Sequence, residues 1–289
     1  MVPRFLRNKL SNFISIRISP LVSREIPRYL QKSFFYKHIS VTSSVNEEEK
    51  TKLYEKVSNT WTKLGQLEPH WSVITNEKFK KQNLNQNHLE FNLSGAHSAE
   101  RIFAAMERMG LNRNIWFDKS LVELGCGVGR VTIPLSSTFG RIKALDISKP
   151  HLDILEKEIS SKQIANIDLI QLNELSVIRQ LDPIDFFYSE ITLQHNSPPI
   201  QREILENMLK KIKKKGYFYF QIPTYIPNYE FNLEKYLKIK NEKMEMHMLP
   251  MNQIFEIVYE SNCRFLNVIR DTSAGLEIES HTFIGIKHD

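Results

Sequence analysis

Three glycines at alternate positions, Gly125, Gly127 and Gly129, stand where a short apolar run gives way to an amphipathic one. Glycine lets a backbone turn tightly and approach a ligand closely, and the N–H groups that open a helix attract anionic groups. Asp146 ends the next apolar run, 23 residues after Glu123, where a carboxylate can accept both hydroxyls of a ribose. These positions therefore predict the binding of a nucleotide-like cofactor.

The same spacing bears on which cofactor is bound. The dinucleotide fingerprint G-x-G-x-x-G needs a glycine at position 130, which is Arg130 in this chain. Arg130 thus counts against a nicotinamide-dependent oxidoreductase, which stays an alternative. A role for the three glycines in packing alone is a second alternative.

The elements that must hold these residues follow from hydrophobic periodicity. From residue 120 onward short apolar runs alternate with amphipathic stretches, the pattern of parallel strands joined by covering helices. One stretch, 197–215, predicts a helix that ends at Gly216, with five lysines between 210 and 215 in its solvated last turns. Apolar runs at 263–271 and 279–287 predict an antiparallel edge hairpin, and helices are expected at 46–64 and 98–109.

Three segments in the right order resemble the class I S-adenosylmethionine-dependent methyltransferases. They are VELGCGVGR at 122–130, ALDIS at 144–148 and FFYSEITLQHNSPP at 186–199. The resemblance covers residues 115–287 and implies a doubly wound α/β fold: a mostly parallel seven-stranded sheet in the order 3-2-1-4-5-7-6, with an antiparallel edge hairpin and an N-terminal helical cap. Further segments, among them LSGAHS and MEMHMLP, look like a bacterial subgroup that modifies small molecules or glycans.

The resemblance implies that the cofactor is S-adenosylmethionine, and it gives a role to each matching position. The three glycines would lie against the methionine part of the cofactor, and Glu123 would help to hold this loop and the cofactor ammonium. Asp146 would bind the ribose, and Ile147 would lie against the adenine.

Matching positions after the third and fourth strands complete the implied cofactor site. Asn173 would stand near the adenine amino group, although an aspartate is more usual there. Ser189 and Glu190 would face the sulfonium.

Methyl transfer from a sulfonium requires the protein to position the acceptor, exclude water and, for a hydroxyl acceptor, remove a proton. A histidine suits proton removal near neutral pH, and His195 follows the fourth predicted strand. His195 is therefore the candidate base, and the alternative is that it orders the loop before the next helix. His247 and His70 are further candidates, either as base or as residues of the pocket wall.

Acceptor choice is expected to come from segments added to the shared core. Residues 224–250 are rich in aromatic residues and methionine and are long enough for a lid, or for a locally packed excursion. Trp71, Ser94 and Gly95 are expected to close over the cofactor, with a core position as the alternative for Trp71. Cys126 is interpreted as a small buried residue.

Composition and charge limit the remaining classes. The 289 residues are 41% hydrophobic and 25% charged with two cysteines, which excludes collagenous, low-complexity and disulfide-framed proteins and makes a structural metal site unexpected. No stretch reaches the roughly 18 apolar residues of a membrane span. The net charge of the chain is +6: residues 1–44 contribute +7 and residues 45–289 contribute −1. A protein whose main task is to bind nucleic acid is expected to have a basic body, so nucleic acid is not an expected partner.

The basic segment 1–44 has three interpretations. Apolar residues at helical spacing between arginines and lysines are typical of an amphipathic helix on an anionic membrane, and the Arg- and Ser-rich composition also fits a mitochondrial transit peptide. A solvated extension is the third. We therefore predict a tail at 1–44, a helical cap at 45–114 and a Rossmann-like methyltransferase domain at 115–289, with the cap and domain forming one unit. A cytoplasmic, membrane-associated protein is expected, with the mitochondrial matrix as the alternative.

Taken together, these patterns predict O-methylation of a hydroxyl on a small molecule, a sugar or a lipid-linked glycan. An alternative of a different class is a cofactor-binding or scaffold protein that has kept the glycine loop without transfer activity.

Overall fold

The computed structural model describes residues 41–239 and 243–289. Within this part of the chain, residues 41–226 and those from 230 onward belong to one compact unit. All but the last four residues of the predicted tail lie outside the described residues, so its three interpretations stay predictions. No helix of the described ranges is long and apolar enough to cross a membrane.

A seven-stranded sheet with the order β3-β2-β1-β4-β5-β7-β6 forms the centre of the described chain. Its strands are β1 Ser120–Leu124, β2 Arg141–Asp146, β3 Ile167–Gln171, β4 Ile184–Ser189, β5 Ile212–Tyr225, β6 Cys263–Asp271 and β7 Glu279–Lys287. Strands β1 to β5 pair in parallel, whereas β7 runs antiparallel to both β5 and β6. The predicted doubly wound sheet, its order and its edge hairpin are thus confirmed.

Helices connect the strands and precede the sheet. They are α1 Glu47–Leu67, α2 Pro69–Val73, α3 Lys81–Glu107, α4 Thr132–Leu135, α5 Lys149–Ser161, α6 Ser176–Gln180, α7 Pro198–Lys211, α8 Leu233–Lys238 and α9 Met251–Glu260. Helix α1 begins with a capping box, in which Asn46 Oδ1 accepts from Glu49 N at 2.9 Å and the Glu49 carboxylate accepts from Asn46 N at 3.0 Å. This pair satisfies two N–H groups that would otherwise lack partners.

Both faces of the sheet are buried. Successive side chains of a strand point to opposite faces, and accordingly Leu121 packs in one apolar cluster with Phe186, whereas Val122 packs in another with Phe187. These four side chains are at most 1% exposed. Burial on both faces explains why the strands appear in the sequence as nearly continuous apolar runs.

The helix predicted over 197–215 ends earlier than expected. Helix α7 stops at Lys211, and Ile212 has an extended backbone, with φ −66° and ψ 130°, and begins β5. Ile212 is buried and pairs with Ile184 of β4, so its burial in the sheet outweighs the helical pattern. Because β5 begins at Ile212, three of the five lysines belong to a strand. One of them, Lys213, places its Nζ 2.9 Å from Asp185 Oδ2 of β4.

Helix α3 begins at Lys81, well before the predicted start at residue 98. Its polar first turns lack a continuous apolar stripe, but Phe91 is buried edge-on against Phe79, with ring centroids 5.2 Å apart. Further along, a Cβ added at Gly95 would lie 1.8 Å from the carbonyl oxygen of Arg130. Helix α3 thus packs directly against the segment that follows β1.

Candidate active site

The carboxyl ends of β1, β2 and β4 border a cleft with about 890 Å³ of empty space, part of which is open to solvent. Strand β1 lies between β2 and β4, where the strand order of the sheet reverses. Open α/β sheets bind their ligands at such a point. Residues of α1, of α2 and of the segment after β4 complete the walls.

Seven of the predicted site residues line this cleft. They are Glu123, Gly125, Gly127, Asp146, Ile147, Glu190 and His195. Gly129, Asn173 and Ser189 are not in the lining: Asn173 is exposed, and the buried Ser189 Oγ donates to a backbone carbonyl of β1 at 3.2 Å. Leu172, the neighbour of Asn173, lines the cleft together with Tyr54 of α1. The assignment of the ten predicted site residues to a cofactor or a reaction stays a prediction.

Asp146 orders the glycine loop through its carboxylate. Its Oδ2 accepts from Gly127 N at 2.7 Å and its Oδ1 accepts from Ser148 N at 2.8 Å. The loop is also tied to β2 by Gly125 N, which donates to the Leu145 carbonyl at 2.7 Å. Because each carboxylate oxygen can accept a further hydrogen bond, Asp146 can bind ligand hydroxyls while it holds the loop.

Glycine is required at positions 125 and 127 by conformation and by packing. Gly125 and Gly127 have φ of +78° and +54°, which lie in the left-handed region that favours glycine. A Cβ at Gly125 would lie 2.2 Å from Thr192 Oγ1, and one at Gly127 would lie 2.6 Å from Val73 Cγ2. The packing role considered for these glycines therefore exists beside any role in binding.

Glu123 places a buried carboxylate in the cleft. It is 3% exposed, and its Oε2 makes no hydrogen bond. Burial raises the pKa of Glu123 to about 7; the Thr132 hydroxyl and the positive charge of Arg130 oppose this rise, whereas the negative charges of Asp146 and Glu190 add to it. A buried polar atom without a partner is unfavourable, so Glu123 is suited to a ligand that brings a cationic donor.

Arg130 is a functional candidate that the sequence analysis did not assign to the site. Its Nη1 donates to the Ser94 carbonyl at 3.0 Å and to Ser98 Oγ at 3.1 Å, both on α3. Its buried Nε makes no hydrogen bond, and the residue lines the cleft. A cation directly after the glycine loop was the available signal, but it was used only to argue against the dinucleotide fingerprint.

Glu190 is held in the cleft from two sides. Its Oε1 lies 3.0 Å from Arg101 Nη2 of α3, and its Oε2 accepts from the Tyr188 hydroxyl at 2.9 Å. The Glu190 side chain is 5% exposed, whereas that of Arg101 is 62% exposed. This ion pair therefore connects the exposed side of α3 to the residue that follows β4.

Ile191 follows Glu190 with φ +57°. This left-handed conformation is unfavourable for a β-branched residue, at a cost of about 1–3 kcal/mol, and such strain is concentrated at functional sites. Ile191 N donates to Gln221 Oε1 of β5 at 2.9 Å, which helps to hold the strained peptide in place.

His195 lies in the cleft wall, 6% exposed, with its ring centroid 5.0 Å from that of Trp61. Its Nδ1 is 2.8 Å from the carbonyl oxygen of Glu245, which can only accept, so Nδ1 carries a proton. Burial lowers the pKa of His195 to about 4, although the Glu245 carbonyl opposes this shift. The ring is therefore neutral at physiological pH and a weak proton acceptor, and its role as base stays a prediction.

A second, smaller cavity, with about 210 Å³ of empty space that is partly open to solvent, adjoins the cleft. Val57, Trp61 and His195 line both spaces. The far wall belongs to segment 224–250, the predicted lid, where Lys56 of α1 donates to the Tyr236 carbonyl at 2.7 Å. The lid interpretation stays a prediction, but this segment does border a cavity next to His195.

The other candidate residues differ in their distance from the cleft. Cys126 lines it and is buried, and burial raises the pKa of its thiol. His247, His70 and Trp71 do not line it; the His247 N–H donates to the Gln194 carbonyl at 2.7 Å. In the described part of the chain, no group of three or more His, Cys, Asp or Glu side chains could hold a metal ion.

Comparisons with known proteins agree with this geometry. Residues 121–216 match a family model described as a methyltransferase domain. The chain is 28% identical over 145 residues to "Ribosomal RNA small subunit methyltransferase A" of Wigglesworthia glossinidia brevipalpis, a match that covers 43% of this chain and 54% of that protein. It is 31% identical over 70 residues to a tRNA/tmRNA (uracil-C(5))-methyltransferase of Sulfurimonas denitrificans, over 24% of this chain and 19% of that protein. The chain thus spans about half of the first relative and a fifth of the second.

Solved structures share the fold at low sequence identity. A magnesium protoporphyrin IX methyltransferase from Synechocystis, solved with S-adenosylhomocysteine bound, aligns with a TM-score of 0.58 at 11% identity, over 81% of this chain and 99% of that chain. An S-adenosylmethionine-dependent methyltransferase from Clostridium acetobutylicum aligns with a TM-score of 0.50 at 15% identity, over 66% and 91%.

Fold and family match agree on the domain: residues 121–216 match a methyltransferase domain, and the sheet around them has the order expected for the class I S-adenosylmethionine-dependent methyltransferases. The resemblance drawn from three motifs is confirmed for the methyltransferase domain and its fold. The match favours this interpretation over a nicotinamide-dependent oxidoreductase.

Proposed function

We propose that this protein transfers a methyl group from S-adenosylmethionine to a hydroxyl of a compact acceptor, either a small molecule or a sugar that can be lipid-linked. The proposal is carried by Glu123 Oε2, a buried oxygen without a partner in a cleft at the switch point of the sheet. The cofactor bears an ammonium and a sulfonium, and Glu123 shares the cleft with the carboxylates of Asp146 and Glu190.

The residues present fit the cofactor group by group. Glu123 would accept from its ammonium, and the unpartnered Arg130 Nε would donate to its carboxylate. Asp146 would bind the ribose hydroxyls, and Ile147 would lie against the adenine. Glu190 would face the sulfonium, held there by its contacts to α3 and β4.

When bound, the cofactor supplies a methyl carbon that is already activated, so few catalytic groups are needed. The residues of this chain have to hold the acceptor in line and keep water away. The acceptor hydroxyl loses its proton as it gains the methyl group, and His195 would take that proton at Nε2, because its Nδ1 proton is held by the Glu245 carbonyl. Trp61 would cover the reacting groups from α1.

The acceptor site in this proposal is the second cavity. It opens onto the same wall residues as the cleft, so a molecule inside it would reach the donor past Trp61 and His195. The space between its lining residues is small, which favours a compact group over a folded polymer. The net charge of −1 over residues 45–289 also supports a small acceptor.

RNA is a second candidate acceptor, and the two relatives named as RNA methyltransferases favour it. Their matches cover 54% and 19% of those proteins, so much of each relative lies outside the match. A nucleotide base turned out of a strand is likewise a compact group.

The cofactor assignment is tested by calorimetric titration of the folded protein with S-adenosylhomocysteine. We expect wild-type protein to bind it and Glu123→Gln to bind it at least about tenfold more weakly, since a neutral amide cannot pair with the ammonium. Glu203→Gln is the matched control, because Glu203 pairs with Lys50 and Arg179 outside the cleft. Folded wild-type protein that does not bind S-adenosylhomocysteine would contradict the proposal.

The acceptor is identified by incubating the protein with methyl-labelled cofactor and either a small-molecule extract or total RNA. Label in a small molecule supports the first candidate, and label in RNA replaces it with the second. Absence of label from both, with cofactor binding intact, would favour the binding or scaffold alternative.

A further inference from the structure

A chain of buried hydrogen bonds runs from the strained peptide after β4 to His195. Ile191 N donates to Gln221 Oε1 at 2.9 Å, and Gln221 Nε2 lies 3.1 Å from Gln194 Oε1 and 2.6 Å from Ser280 Oγ. Gln194 Nε2 in turn lies 3.3 Å from His195 Nε2. We call the three side chains Gln221, Gln194 and His195 the amide relay.

Both ends of the amide relay are anchored by backbone groups with only one possible role. The Ile191 N–H can only donate, so Gln221 turns its oxygen to Ile191 and its NH₂ to Gln194. Gln194 must then accept through its oxygen and donate through its NH₂ to His195 Nε2. At the far end the Glu245 carbonyl can only accept, so His195 Nδ1 is the donor.

Burial makes this order difficult to replace. Gln221 and Gln194 are 0% and 2% exposed, so water cannot readily take over a broken contact between the two amides. Turning either amide around would set two donors or two acceptors against each other in a buried site. Every proton position along the relay is therefore determined by the two backbone anchors.

Charged groups also surround the ring of His195. His247 disfavours its charged form, whereas the Glu245 backbone favours it, and burial outweighs both, so that the pKa of His195 falls to about 4. Across the second cavity lie Lys56 of α1, Lys243 and the Glu245 carboxylate. The Glu245 carboxylate is engaged by the Tyr236 hydroxyl at 2.5 Å.

We propose that Gln221 is a positioning residue that acts through Gln194 to hold His195 in one neutral tautomer, with the proton on Nδ1 and the Nε2 lone pair kept for a donor. In the apo protein that donor is the Gln194 amide. During the reaction it is an O–H or N–H group of the methyl acceptor, which takes the place of Gln194 at Nε2. This last step rests on the proposed function, whereas the tautomer does not.

The direct test is nitrogen NMR of the histidine rings in the full-length protein, with His195→Asn used to identify the His195 signals. We expect Nδ1 protonated and Nε2 unprotonated from about pH 5.5 to about pH 8. A ring protonated on Nε2 alone, or one that titrates in the ordinary histidine range, would overturn the proposal.

Gln221→Glu tests the relay itself. A carboxylate can still accept from Ile191 N but cannot donate to Gln194, so the Gln194 amide should turn and offer its oxygen to His195 Nε2. His195 Nε2 can then gain a proton beside the one on Nδ1, because a proton there would be accepted by the Gln194 oxygen, and the pKa of His195 rises toward the ordinary value of about 6.5. Gln253→Glu, a half-buried glutamine outside the cleft that contacts Val41 and Ser43, is the matched control and should leave the His195 signals unchanged.

Gln221→Met covers the case in which the glutamate variant does not fold. It removes the Gln221 contacts without adding charge, so the Gln194 amide can present either its NH₂ or its oxygen to His195 Nε2 while the Glu245 carbonyl still accepts from Nδ1. We expect the pKa of His195 to rise, by less than in Gln221→Glu, and the KM for the acceptor to rise about tenfold, with unchanged affinity for S-adenosylhomocysteine. An unchanged pKa of His195 and an unchanged KM in this variant would overturn the proposal. If wild-type protein does not bind S-adenosylhomocysteine, the proposed function fails, but the NMR result still decides the relay.

Discussion

The Glu123 carboxyl group can stay buried in the apo protein because it can be protonated, and it is still suited to a cationic ligand. Its carboxylate is buried and its Oε2 has no partner, and burial raises its pKa to about 7. Near neutral pH the group is therefore divided between its protonated and ionised forms, and a cationic ligand would select the ionised form.

The first prediction concerns the pH dependence of Glu123. Its pKa is raised from 4.5 to about 7 in the folded protein, so its contribution to stability is present below about pH 4.5 and is lost as the pH rises through about 7. Affinity for S-adenosylhomocysteine should change in the opposite direction, since only the carboxylate pairs with the ammonium. We expect the affinity to rise about tenfold between about pH 6 and about pH 8.

Calorimetry across this pH range with wild-type protein and Glu123→Gln provides the measurement. The variant should bind weakly and lose most of the pH dependence. Equal pH profiles for the two proteins would show that another group is responsible.

Among the elements, helix α3 has the closest connection to the site. Its Ser94 and Ser98 hold Arg130, its Arg101 pairs with Glu190, and its Gly95 touches the backbone of Arg130. Helix α3 therefore positions charged groups on two sides of the cleft, although it lies before the matched methyltransferase domain.

The second prediction tests the ion pair between α3 and β4. Arg101→Met removes a partner from Glu190, whose side chain is 5% exposed. Since a buried carboxylate loses part of its hydrogen bonding, we expect the free energy of unfolding to fall by about 1–3 kcal/mol. Urea denaturation measures this change. Arg113→Met is the control: its partner Glu100 is 61% exposed, so a loss below about 1 kcal/mol is expected. Similar losses in both variants would contradict a special role for Arg101.

The third prediction tests the close packing of α3. In Gly95→Ala the new Cβ would lie 1.8 Å from the Arg130 carbonyl oxygen, so α3 has to shift. We expect a loss of roughly 1–3 kcal/mol in stability despite a gain of about 1 kcal/mol in helix propensity, together with weaker S-adenosylhomocysteine binding.

Gly110→Ala serves as the comparison for Gly95→Ala, measured by thermal denaturation and calorimetry. Gly110 has φ +80° but no atom within 4 Å of an added Cβ. It should lose about 1–2 kcal/mol of stability through backbone strain and keep its cofactor affinity. Unchanged cofactor affinity in Gly95→Ala would show that the packing of α3 against Arg130 does not affect cofactor binding, which would contradict the prediction.

At the scale of the whole molecule, the charge is divided unevenly along the chain. Residues 1–44 carry +7 and the remainder carries −1. This segregation predicts that contact with an anionic surface belongs to the tail, whereas the catalytic part of the chain acts independently of it.

The fourth prediction follows from this division of charge. Deletion of residues 1–40 should abolish co-sedimentation with vesicles that contain anionic lipid, while S-adenosylhomocysteine binding is unchanged. Wild-type binding should weaken as salt rises, because basic side chains supply about 1 kcal/mol each at low ionic strength. Neutral vesicles are the control. Full binding of the truncated protein to anionic vesicles would assign the contact to another surface.

Much of the fold could be predicted from sequence because its signals are local. Strands buried on both faces appear as apolar runs, and a strand, a glycine loop and a helix in succession identify the cofactor end of the sheet. The boundary at Ile212 was mispredicted because helical periodicity in sequence competed with a long-range pairing to Ile184. The early start of α3 was missed because Phe91 is buried by distant residues rather than by a repeating apolar stripe.

By itself, the sequence predicted the methyltransferase domain, its strand order, and the residues at the carboxyl ends of β1 and β2. These are properties of short segments, in which residue type and spacing are sufficient. Tertiary structure alone decided that Arg101 reaches Glu190, that Arg130 lies in the cleft and that Gln221 orders His195, because these contacts join residues 27 to 89 positions apart. Such contacts depend on how buried surfaces pack, and no local pattern encodes them.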